Sequence, residues 1–143
     1  MSFSNFMELK VLDLVWSNAA LTISGTYFVG LATSTITTAQ TGITVVEPST
    51  ASTAYARVAI VNNATNWPAS TVVNTIGQKQ NNSGINFPQC TTNWGTVTYF
   101  FMADGSAVST GSIIGFGALT TAKTISSGDT ASFAINAITI TLS

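Results

Sequence analysis

Gly95-Thr96-Val97-Thr98-Tyr99-Phe100-Phe101-Met102 is dominated by β-branched and aromatic side chains, which suit a pleated, half-buried surface. It is the strongest strand signal in the chain, and four other runs read the same way. They are Thr26-Tyr27-Phe28-Val29-Gly30-Leu31, Ala56-Arg57-Val58-Ala59-Ile60-Val61, Ile113-Ile114-Gly115-Phe116-Gly117-Ala118-Leu119 and the tail Ala137-Ile138-Thr139-Ile140-Thr141-Leu142. The tail alternates strictly, so Ile138, Ile140 and Leu142 are expected to face inward and Thr139 and Thr141 outward. Turn chemistry separates the runs at Glu47-Pro48-Ser49, Asn82-Ser83-Gly84, Asp104-Gly105-Ser106 and Ser126-Ser127-Gly128-Asp129. Short strands divided by such turns, with no second helix, predict a mainly β fold. The form expected is an antiparallel β-sandwich, jelly-roll-like, over residues 21–143, with one N-terminal α-helix before it.

That helix is expected over residues 5–17. Asn5 is the candidate N-cap, with Glu8 three residues later as its capping-box partner. Phe6, Leu9, Leu12 and Trp16 recur at spacings of three and four. Met7, Val11, Leu14 and Val15 widen the apolar surface until little beyond Glu8, Lys10 and Asp13 is polar. A helix this apolar should be buried on most sides, over the end of a sheet or against a neighbouring subunit. Two stretches read as long loops and so as candidate binding surfaces. One lies near residues 34–54 and is rich in Thr, Ser and Ala; the other lies near 62–84, is rich in Asn and contains Trp67-Pro68. Nothing divides residues 1–143, so a single domain is expected.

The charge content is unusual. Charged residues make up 6% of the chain, against about 25% in an ordinary soluble domain. A monomer of 14.8 kDa should expose about 7,000 Å², leaving roughly one charge per 800 Å². A surface like that costs little to desolvate, which is why interface cores are depleted in charge. The composition points to a protein that buries much of its surface in an assembly. Lys10, Arg57, Lys79 and Lys123 are the only cations, too few for the basic patch that nucleic acid requires. The longest apolar runs fall far short of a membrane span of about 20 residues. Met1-Ser2-Phe3-Ser4-Asn5 lacks the basic and apolar regions of a signal peptide. The expectation is a chain made in the cytoplasm and soluble until assembled.

Chemistry-bearing residues are scarce. There is no histidine, which removes Ser-His-Asp and Cys-His arrangements and histidine-based metal sites. The acids Glu8, Asp13, Glu47, Asp104 and Asp129 are scattered and suggest neither the facing carboxyls of a glycosidase nor a calcium loop. Asp129, after Gly128, reads as a turn-former. Gly115-Phe116-Gly117 lacks the third glycine and following helix of a phosphate cradle. The expectation is therefore no catalysis, no cofactor and no metal. Cys90 stands alone and can form no internal disulfide. Asn63-Ala64-Thr65 and Asn81-Asn82-Ser83 match the glycosylation pattern, but with no secretion signal the match is read as chance. Arg57, inside an apolar run, is expected to pair with an acid or with loop carbonyls. Trp16, Trp67 and Trp94 are the candidate interface or ligand contacts, since large aromatics anchor interfaces and stack on sugars. For Trp67 and Trp94, core or interface anchoring is the favoured reading over sugar stacking.

Several blocks, in order, resemble a family of small tailed-phage virion proteins usually labelled phage tail fibre proteins. They are Met1-Ser2-Phe3-Ser4-Asn5, Lys10-Val11-Leu12-Asp13, Tyr27-Phe28-Val29-Gly30-Leu31, Tyr55-Ala56-Arg57-Val58 and Asn62-Asn63-Ala64-Thr65-Asn66-Trp67-Pro68. Further on come Ile85-Asn86-Phe87-Pro88, Trp94-Gly95-Thr96-Val97-Thr98, Gly117-Ala118-Leu119-Thr120 and Ser127-Gly128-Asp129-Thr130. The stretch after Thr98 departs from the family pattern. The resemblance implies a virion component, assembled in the host cytoplasm, and brings no catalytic residues. Two roles are expected from it. One is a capsid decoration, or cement, protein bridging capsomers, with itself (as a homotrimer) and the major capsid protein or other virion proteins as partners. It is favoured by the low charge and by the lack of a fibrous repeat. The alternative is a tail fibre or baseplate module binding a host surface glycan.

Overall fold

A computed structural model describes residues 1–142. The elements run in the order β1 (Ser2–Phe3), α1 (Asn5–Trp16), β2 (Thr26–Ala32), β3 (Val58–Val61), β4 (Thr71–Val73) and β5 (Ile76–Gln80). They continue as β6 (Ile85–Asn86), β7 (Gly95–Ala103), β8 (Ile113–Ile125), β9 (Ser132–Phe133) and β10 (Thr139–Leu142). A five-stranded sheet has the order β1-β8-β7-β2-β3; β10-β5-β4 form a second sheet and β6-β9 a third. Every pairing is antiparallel. The mainly β, antiparallel fold with one helix near the N-terminus is as expected. The second layer, however, is split in two, unlike the paired four-stranded sheets of a jelly roll.

Alternation along the central strands produces two apolar faces. Val29 and Leu31 of β2, with Phe100 and Met102 of β7, pack between the five-stranded sheet and the two smaller ones, against Trp67, Ile85, Phe87, Trp94 and Ile138. On the opposite face, Ala32, Phe101, Ala103, Ile113 and Phe116 pack with Ile36 and Val45 from the segment after β2. Both faces of the sheet are therefore covered, which explains why its strands read as nearly continuous apolar runs. A register shift between Val97 and Tyr99 returns Val97 to the first face, beside Phe100. Gly30 pairs with Phe101, whose ring lies where a Cβ on residue 30 would stand, 2.3 Å from Cζ. The ring fills the space that the glycine leaves empty.

Four expectations need correction. The N-cap is Ser4, not Asn5: Ser4 is extended and its Oγ accepts from the Met7 amide at 3.3 Å. Ser4 is itself buried and donates from Oγ to the Ile113 carbonyl, so the helix start is fixed by its seat on β8 rather than by Glu8. Second, α1 has no buried residue; only Met7 and Val11 are appreciably shielded in its middle, and Leu9, Leu12, Leu14, Val15 and Trp16 are exposed. Third, the alternation of the tail decays. Ile138 is fully buried and Ile140 partly, but Leu142 is exposed, because β10 pairs only with β5 and its end runs past the core. Fourth, residues 62–84 are not all loop. They contain the β4–β5 hairpin, closed by Asn74 and Thr75 with φ of 49° and 68°, the left-handed pair of a tight hairpin turn. The 34–54 segment has no strand, as expected, but it lies down as the cover of the second face.

Candidate functional site

Arg57 lies just before β3 with its side chain buried, and its position is explained by what it holds. Its Nη2 meets Glu47 Oε1 at 2.7 Å, and Nε lies 3.1 Å from Oε2. Nη1 donates to the carbonyls of Gly105 (2.8 Å) and Thr110 (2.9 Å), and Nη2 to that of Gly42 (3.0 Å). The guanidinium stacks over the Phe101 ring, 5.1 Å from its centroid. Glu47 Oε2 also accepts from the Tyr55 hydroxyl at 2.8 Å, and that hydroxyl in turn accepts from the Leu31 amide at 2.8 Å. Burial, and then the neighbouring Glu47 charge, push the Tyr55 hydroxyl well above its usual range. One guanidinium thus clamps the 34–54 cover to the β7–β8 connection, and through Glu47 and the Tyr55 hydroxyl the network extends to strand β2. The two loops interlock so closely that a Cβ on Gly42 would stand 2.0 Å from the Thr110 carbonyl oxygen. Both partners expected for Arg57, an acid and loop carbonyls, are present.

Two more acids, Asp104 and Asp129, and the cysteine have local structural duties. Asp104 Oδ1 accepts from the Ser112 amide at 2.6 Å, and Asp129 Oδ2 from the Ser126 amide at 2.8 Å. Cys90 is buried and its thiol points to the Thr92 carbonyl. Among the described residues no group of three His, Cys, Asp or Glu side chains stands close enough to hold a metal ion. No helix among them is long and apolar enough to cross a membrane.

The three tryptophans separate sharply. Trp67 and Trp94 are each 4% exposed and belong to the main core cluster. Trp94 donates from Nε1 to the Thr53 carbonyl at 2.7 Å and packs edge-on against Tyr55. Neither can meet a ligand or partner at the surface, which corrects that expectation for both: the Asn-rich stretch around Trp67 folds inward under the sheet. Trp16 is 81% exposed at the end of α1 and is the one of the three tryptophans whose ring is open to the surface.

Two surface features are not readable from residue types alone. One is the outward side of α1, where Leu9, Leu12 and Trp16 lie uncovered. The other lies along β8. Val97 pairs with Lys123 but Tyr99 pairs with Ala118, so Leu119 to Ala122 swing out of the ladder opposite Thr98 alone. Beside this excursion is an open groove of about 470 Å³, floored by Leu31, Ile125 and Phe133 and rimmed by Thr121, Lys123 and Thr130. The surface as a whole measures 7580 Å². With Arg57 and Glu47 buried against each other, at most seven of the nine charged side chains remain on it.

Over residues 2–141 the chain matches a family model described as Podophage GP4 fiber I protein gp80. No curated protein matches it.

Proposed function

The chain belongs to the family described as Podophage GP4 fiber I protein gp80, and from that premise we propose that it is a structural subunit of a phage tail fibre. The family match over nearly the whole chain is the observation that carries this reading. The protein works by contact alone, with no catalytic step, cofactor or metal. A neutral surface with few charges supports such a role, because its burial against other virion proteins costs little desolvation. If the fibre touches a host glycan, the groove beside Leu119–Ala122 is the place, with Lys123 and threonine hydroxyls at its rim; the buried tryptophans are not.

A second reading, capsid decoration in contact with the major capsid protein, is favoured by one observation. The described residues form a compact body with no shaft-like repeat and no long helix. Quantitative mass spectrometry of purified particles, combined with antibody labelling, separates the two. A few copies per particle with label at the tail supports the fibre subunit. Hundreds of copies with label over the head would overturn it in favour of decoration. Absence from purified particles would sink both.

A further inference from the structure

We draw no further inference here: the strongest candidate, the outward apolar side of α1 with Leu9, Leu12 and Trp16 exposed, carries nothing because no feature of the structure shows what covers it.

Discussion

Arg57 concentrates more of the tertiary structure in one side chain than any other residue. Its donors reach a carboxylate and three backbone carbonyls on two separate loops, and both charged side chains are withdrawn from water. Arg57→Ala leaves Glu47 buried without a counter-charge, and such a loss costs about 3–5 kcal/mol. Urea denaturation should show it, and removing Glu47 as well should give back part of the loss, because the two side chains act as a unit. Arg57→Lys should not restore stability, since a single ammonium cannot span the fork of acceptors. Tyr55 adds a dependence on pH. Burial, reinforced by Glu47, keeps its hydroxyl protonated well above the ordinary value of 10.0 at which it ionises in the unfolded chain. Its contribution is therefore fully present below pH 10 and declines as the pH rises beyond it, by up to about 1.4 kcal/mol per pH unit. Denaturation midpoints measured on both sides of pH 10 should fall less steeply in Tyr55→Phe. The need of Arg57 for partners was legible in the sequence, because a guanidinium inside an apolar run must be paired. Which acid paired with it was not, since Glu47 sits on a loop with no periodicity to fix its place. Nor could residue type alone tell the two buried tryptophans from the exposed one.

At the scale of elements, the longest strand is also the most guarded. Beyond its short pairing with β1 at Gly115 and Phe116, β8 runs on to Ile125 at the outer border of the sheet. A bare edge of that length is a template for pairing with other chains. The excursion at Leu119–Ala122 and the exposed Lys123 both interrupt it. Lys123→Val should leave the fold intact and increase aggregation on heating, read as earlier onset of light scattering. If onset does not move, the excursion alone protects the edge. The long strands were legible because β-branched and aromatic residues fill them. β1, β6 and β9 were not, since two residues carry no period, and their pairing is decided by strands far away in sequence. The β4–β5 hairpin was hidden by its turn: Asn74-Thr75 places a β-branched residue at positive φ, where glycine is the usual signal. The helix was legible in extent but not in burial. Periodicity shows which residues are apolar, and here one apolar side faces the body while the other faces outward.

For the whole molecule, the scarcity of charge was read from composition before any contact was known. The structure sharpens it, since the only salt bridge among the described residues lies inside. The order of strands has a further consequence, one of time. The five-stranded sheet joins β2 to β7, with Ala32 opposite Tyr99 and Phe28 opposite Ala103, and β1 waits for β8. Ribosomes add about 5–20 residues per second, so the aromatic strand β2 stays without its central neighbour for several seconds after it is made. Pairings so distant in sequence also fold slowly, in about milliseconds to seconds. A cell that makes this chain must carry a population of half-made chains with sticky strands. The burden on the infected cell's chaperones is set by this wiring, whatever the stability of the finished fold.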